Sequence, residues 1–244
     1  MRSFGFRHPV VDHVHLPVEG LTRALRVAHL TDLHFGNVTP QALQDRAVGE
    51  ANAAQPNFTV LTGDFVCRGA RHLRVLTETL AALDGPKYAV LGNHDHWCGA
   101  ARVREALTRA GIEVLDNAWT QIGELALCGM DDSTTSHHDA EQATRGVRGP
   151  RLGLSHNPDG APELWEQGVG VVLSGHTHGG QLHWKAVTPG VYAALGTRYL
   201  SGTYAESAGT VYVNPGVGSS VLPWRMGKPA QRTVALLDLT PVRC

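Results

Sequence analysis

His176 and His178 stand two residues apart in Gly175-His176-Thr177-His178-Gly179-Gly180, directly after the apolar run Val169–Ser174. An apolar run that stops at Ser-Gly predicts a buried strand feeding a tight turn. Glycines let backbone approach closely, and neutral imidazole is the commonest metal-ligand side chain. Two imidazoles that can aim at one point therefore predict a metal site that needs further ligands. Asp32 and His34 in Asp-Leu-His, Asp64 in Gly63-Asp64, Asn93 and His94 in Gly92-Asn93-His94-Asp95, and His156 after Arg151–Ser155 can supply them. Carboxylate, imidazole and amide oxygen without thiolate favour Mn²⁺, Fe or Zn²⁺ over a soft metal. There are more ligands than one ion needs, and one carboxylate such as Asp64 can bridge two. Paired cations about 3.5–4 Å apart clamp both the attacking and the leaving oxygen of an in-line displacement at phosphorus.

These residues must be positioned by the elements that precede them. Arg26–Leu30, Phe58–Leu61 and Tyr88–Leu91 are apolar runs that end at Thr31-Asp32, Thr62-Gly63-Asp64 and Gly92-Asn93-His94-Asp95. Between them, Thr39-Pro40 predicts an N-cap and a proline at the first helical position, opening a helix to about Ala54. Leu73, Leu76, Leu80 and Leu83 share one helical face and predict core packing. Val103 and Leu107 mark a further helix closed by Gly111. This is β-α-β-α-β at crossover spacing. Leu125–Cys128, Leu152–Leu154, Val169–Leu173, Val211–Val213 and Thr233–Leu237 predict a strand-rich second half, and Asp131–Pro150 a long surface loop. In open α/β sheets ligands bind beyond the strand carboxyl ends, so residues spanning most of the chain can converge at one edge. The expected architecture is α/β: a four-layered α/β/β/α sandwich of two mixed sheets flanked by helices. It forms one domain over 1–244, with 1–24 an N-terminal extension or edge strand.

Composition narrows the function classes. The chain has 244 residues, a net charge of −1 and 18% charged residues. That excludes a basic footprint for nucleic acid and disfavours disorder. Cys67, Cys98, Cys128 and Cys244 form no C-x-x-C pair, which argues against a disulfide framework or zinc knuckle. No run reaches the ~18 apolar residues of a spanning helix. The expectation is a soluble cytoplasmic protein, with peripheral membrane contact left open.

The five blocks Asp32-Leu-His34, Gly63-Asp64, Gly92-Asn93-His94-Asp95, Ser155-His156 and Gly175-His176-Thr-His178 resemble the signature of the calcineurin-like metallophosphoesterase superfamily. Gly179-Gly180-Gln181 and the tail Arg198-Tyr199, Gly202-Thr-Tyr204, Asn214-Pro215-Gly216 and Pro223-Trp-Arg225 resemble its small bacterial phosphodiesterase branch. Pro229-Ala230-Gln231 departs from the acidic residue expected there in that branch. The resemblance implies one metal held by Asp32, His34, Asp64 and His178, and a second by Asp64, Asn93, His156 and His176. It implies attack on phosphorus by a metal-bound hydroxide without a covalent enzyme intermediate. His94 would contact the phosphoryl group or protonate the leaving oxygen, and Asp95 would orient His94. The two ions would be Mn²⁺, Fe or Zn²⁺, with Mn²⁺ placed first. The substrate would be a small phosphoester, a diester before a monoester, with lipid- or nucleotide-linked forms open. Two alternatives stand beside it: a UDP-acylglucosamine pyrophosphatase of lipid A synthesis, and a partner-binding scaffold without catalysis.

The remaining histidines are weighed against blander roles. His8, His13, His15 and His72 are expected at the surface or in local packing, and His29 as a core imidazole. His137-His138 are expected as a surface pair. His96 and Trp97 are balanced between structure and pocket lining, and His183-Trp184 are candidates for a wall of the site. Arg198 and Arg225 are expected to pair with surface carboxylates more than with a substrate phosphate.

Overall fold

The computed structural model describes residues 8–67, 69–185, 187–194 and 196–242. Cys244 and the arginines before His8 lie outside them. The first strand, β1 (Val10–Val18), runs along the edge of a six-stranded sheet and pairs in parallel with β12 (Thr233–Pro241), the last. β12 pairs antiparallel with β2 (Leu25–Leu30), and β3 (Phe58–Thr62), β4 (Lys87–Val90) and β5 (Glu113–Val114) continue in parallel. The second sheet has the order β10 (Gly202–Ala205), β11 (Thr210–Val213), β9 (Val171–Ser174), β8 (Arg151–Ser155), β7 (Leu125–Met130) and β6 (Ala118–Ile122). Its four inner strands are parallel and its two edge strands antiparallel.

Three apolar clusters make the layers. Val27, Phe58, Val60 and Leu237 from the first sheet meet Leu127, Leu152, Leu154 and Leu173 from the second, so the sheets pack face to face. The outer face of the first sheet buries α1 (Gln41–Ala53), α2 (Leu73–Ala81) and α3 (Asn93–Arg109) through Ala47, Leu76, Leu80, Val103 and Leu107. The second buries α4 (Ala140–Thr144) and α5 (Ala161–Glu166) through Ala143, Leu164 and Trp165. The result is the four-layered α/β/β/α sandwich of two mixed sheets. A short α6 (Thr188–Ala194) lies beyond β9. No helix among the described residues is long and apolar enough to cross a membrane.

Several local expectations fail for identifiable reasons. Pro40, not Thr39, occupies the N-cap of α1, without a side-chain cap. The Thr39 hydroxyl instead accepts from Ser219 N at 2.9 Å, tying the helix entrance to a distant loop. Asp131–Pro150 is not one surface loop. Asp131 and Asp132 are buried, and Asp139 caps α4 by accepting from Gln142 N at 2.8 Å. α3 begins ten residues before Val103, at Asn93, with Gly99 at φ 105° interrupting it. β5, β6 and β10 carry too few or too exposed apolar residues to announce themselves.

Candidate metal centre

The backbone at the strand exits is bent in a way that side chains rarely tolerate. Asp32, His34, Asp64, His176 and His178 all have φ between 46° and 71°. They make up five of the nine non-glycine residues at positive φ among those described. Such conformations cost energy and persist where the surroundings enforce them, typically at functional sites. The bends turn successive side chains out of the β2, β3 and β9 ends toward one point. Two glycines make the approach possible. A Cβ on Gly175 would collide with Thr31 Oγ1 and Asp32 Oδ2, and one on Gly92 with the Asp64 carboxylate.

Two groups of ligand atoms result. In the first, His34 Nε2 lies 3.0 Å from His178 Nε2, and Asp32 Oδ1 lies 3.9 Å and 3.5 Å from those nitrogens. In the second, His156 Nε2 lies 3.2 Å from Asn93 Oδ1 and 3.1 Å from His176 Nδ1, which is 3.0 Å from Asn93 Oδ1. Asp64 stands between them. Its Oδ2 is 3.5 Å from His34 Nε2 and its Oδ1 is 3.4 Å from His156 Nε2. Asp32, His34 and His178 form one group and Asp64, His156 and His176 the other, with Asn93 against the second and Asp64 also beside His34 of the first.

The donor set fits divalent cations. Asp32 Oδ1 is buried with no hydrogen-bond partner, a costly state for a carboxylate oxygen. Burial pushes the His34 imidazole down to about 3 and His176 to about 4, and it pushes His178 well below its usual value. All three are thereby held in the neutral form that ligates metal. His156 differs: burial opposes its charge, but Asp64 and further carboxylates outweigh burial and raise it to about 10. The reciprocal holds for Asp64, where burial is outweighed chiefly by His156 and the carboxyl is held low. Asp32 is raised to about 6 by burial, against the pull of His156. His156 Nδ1 lies 2.7 Å from the Thr62 carbonyl, so Nδ1 carries hydrogen and Nε2 faces the cluster.

Arg225 departs from the partner expected of it. It pairs with neither a surface carboxylate nor open solvent. Its Nε donates to the Gly218 carbonyl at 2.8 Å, further N–H groups meet the Pro215 and Gly218 carbonyls, and Nη2 faces His178 Nδ1. Burial and the neighbouring Arg232 pull its guanidinium down to about 9. One detail opposes a metal on His178 Nε2: that state places hydrogen on Nδ1, opposite a group that only donates. The two carbonyls offer those N–H groups an alternative. Only the tail motif around Pro223-Trp-Arg225 hinted at this residue.

His94 lines the cavity of about 250 Å³ over the clusters, with Gln181, Tyr192 and Ser220. The expected link from Asp95 to His94 is corrected. The fully buried Asp95 carboxylate accepts from Phe65 N at 2.9 Å, Val66 N at 3.2 Å and Gly92 N at 2.9 Å. Burial, reinforced by Asp64, raises it to about 7 against those bonds. His94 Nδ1 instead lies 3.0 Å from the Cys67 carbonyl. Asp95 therefore does not bond His94 directly; it holds the backbone on both sides, at Phe65–Val66 next to the Cys67 carbonyl and at Gly92.

The other candidates fall outside the clusters. His96 bonds Asp131 at 2.8 Å and stacks on His137. His29 is buried against Thr62 Oγ1 at 2.8 Å. His13 and His15 are exposed on β1, and His138 lies 3.3 Å from Glu163. Arg198 pairs with Glu206 at 3.6 Å. His183 lines a neighbouring cavity, whereas Trp184 is exposed and lines neither that cavity nor the one over the clusters.

A model of the family described as calcineurin-like phosphoesterase matches residues 25–180, which hold every cluster residue. The chain belongs to that family. Its members use divalent metal ions. A Danio rerio transmembrane protein with metallophosphoesterase domain is 31% identical, over 94% of this chain and 57% of its own length. An uncharacterized metallophosphoesterase of Helicobacter pylori is 28% identical, over 97% of this chain and 65% of its own length. The chain thus spans less than two thirds of either. Phosphodiesterase YaeI of Escherichia coli is 30% identical, over 80% of this chain and 75% of its own length. Among solved structures, TT1561 of Thermus thermophilus shares the fold at a TM-score of 0.53 and 14% identity, covering 80% of this chain and 91% of that one. A dimetal phosphatase from Danio rerio does so at 0.53 and 13%, covering 88% and 92%.

Proposed function

We propose that this chain is a dinuclear metal-dependent phosphoesterase that hydrolyses a P–O bond, in diesters before monoesters. The observation that carries the reading is the Asp64 carboxylate, whose two oxygens face two different ligand clusters. Asp32, His34, Asp64 and His178 would hold one cation, and Asp64, Asn93, His156 and His176 the other, with Mn²⁺ the first candidate. When bound, the ions neutralise phosphoryl charge and lower the pKa of water. The diester preference draws on the resemblance of the tail to the phosphodiesterase branch and on the relative of that name. Because β1 and β12 complete the first sheet outside 25–180, residues 1–244 are taken as one domain.

The chain's own residues supply orientation and a proton. The Cys67 carbonyl fixes hydrogen on His94 Nδ1, leaving Nε2 for the substrate. As a water oxygen bonds to phosphorus and loses its proton to solvent, the P–O bond to the leaving group breaks; His94, in the doubly protonated form with its Nδ1 hydrogen kept on the Cys67 carbonyl, would pass its Nε2 proton to the leaving oxygen, worth about 10²–10⁴ in rate. Asp95 holds the loop that holds His94.

Hydrolysis of a chromogenic phosphodiester and monoester by purified protein with added Mn²⁺ tests the reading. Diester turnover that vanishes in Asn93→Ala is expected. Monoester turnover alone would reverse the diester preference, and no turnover of either would sink the assignment.

A second reading, cleavage of an acylated UDP-sugar, is favoured by the cavity of about 520 Å³ beside the site. Leu200, Ala193 and Tyr204 line it, and Thr197 is common to both cavities. Turnover of that substrate well above simple diesters would select this reading.

A further inference from the structure

Two segments that carry cavity-lining residues of the metal centre also carry a run of large exposed apolar side chains. Trp184, Val187 and Val191 belong to one segment, and Val221, Leu222 and Trp224 to the other. They are six of the ten large exposed hydrophobic side chains among the described residues. The two segments are stitched into one patch. His183 N donates to Met226 O at 2.8 Å, Met226 N to Gln181 O at 2.9 Å, and Gln181 Nε2 to Leu222 O at 3.1 Å. Gln181, Tyr192 and Ser220, which line the cavity, sit within or next to these segments. A seventh exposed side chain, Trp97, packs with its ring centroid 5.0 Å from that of His94.

A contiguous apolar patch on a folded surface marks an interaction site, and its chemistry selects the partner. Trp184 and Trp224 are 59% and 55% exposed. Lys185 and Lys228 are exposed in the same segments. No carboxylate occurs from 181 to 198 or from 220 to 231, although the whole chain carries a net charge of −1. Tryptophans with lysines at their edge match the headgroup level of a bilayer, where indole rings settle and cations meet anionic lipid. A protein partner would not require this exclusion of acidic groups.

We propose that this patch docks the protein on an anionic lipid bilayer, with the mouth of the metal centre facing the headgroups. What the docked site does there rests on the phosphoesterase reading; the docking itself does not. A phosphoester held at headgroup depth is then the substrate class within reach.

Cosedimentation with vesicles tests this, using phosphatidylcholine alone and phosphatidylcholine with phosphatidylglycerol. Wild type is compared with the pair Trp184→Ser, Trp224→Ser and the pair Lys185→Glu, Lys228→Glu. Turnover of a soluble chromogenic diester is followed on every sample. Wild type is expected to sediment with phosphatidylglycerol vesicles, and each double variant to partition about tenfold more weakly with soluble turnover unchanged. No sedimentation with the anionic vesicles overturns the proposal. Equal binding to both vesicle types, or binding that both double variants retain, also overturns it. Failed docking with intact turnover removes the docking alone. Intact docking without turnover removes the phosphoesterase reading alone.

Discussion

His94 Nδ1 lies 3.0 Å from the carbonyl oxygen of Cys67. A carbonyl only accepts, so this contact fixes the hydrogen on Nδ1 and frees Nε2 for chemistry. The loop bearing that carbonyl is held by Asp95 through Phe65 N and Val66 N. Asp95→Asn puts an amide where three N–H groups seek an acceptor. It is expected to cost about 1–3 kcal/mol of stability and about tenfold in kcat, with metal content retained. Thermal melts, elemental analysis and turnover on one preparation check this. Unchanged kcat would remove Asp95 from the positioning of His94.

Gly175 is a second point where geometry leaves no freedom. Any Cβ there meets Thr31 Oγ1 and Asp32 Oδ2. Gly175→Ala is expected to displace the Asp32 carboxylate, lower stability by about 1–3 kcal/mol and reduce bound metal. A folded variant with wild-type metal content would show that the loop can yield.

Arg225 tests the contact behind His178. Arg225→Met leaves the Gly218 and Pro215 carbonyls without that donor. With no donor facing His178 Nδ1, hydrogen can sit there and Nε2 is free for the cation, so metal binding is expected to tighten by about tenfold, measured by titration of the metal-stripped protein. Wild-type affinity would mean that Arg225 serves only the loop carbonyls.

The buried His96–Asp131 pair sets a pH dependence. Asp131 raises the His96 pKa above its ordinary 6.5, mainly through their hydrogen bond. A histidine with a raised folded pKa contributes stability that is full below the unfolded value and is lost as pH rises through the folded one. Asp131→Asn should therefore lower Tm more near pH 6 than near pH 9. An equal loss at both would mean that the imidazole is not charged in the fold.

Much of this was legible because chemistry and punctuation coincide in the chain. Asp32, Asp64 and His176 each follow an apolar run and a small or hydroxyl residue, so strand exits and ligands announce each other. The ligands at positive φ are Asp and His, types that tolerate it. What stayed hidden depends on contacts between distant segments. Thr39 resembles a cap until Ser219 takes its hydroxyl. Asp95 resembles the partner of its neighbour until backbone N–H groups from β3's exit claim it. Asp131 and Asp132 read as solvated until the packing buries them. The tail motif marks Arg225 but not its role, which depends on the Gly218 and Pro215 carbonyls and on a histidine 47 residues away.

The central claim is that one carboxylate, Asp64, joins two cation sites. The most direct measurement is metal stoichiometry by elemental analysis after loading with Mn²⁺, in wild type and Asp64→Ala. Close to two ions per chain in wild type is expected, falling below one in the variant together with loss of hydrolysis. A single ion in an active wild type, or two ions retained by the variant, would contradict the account.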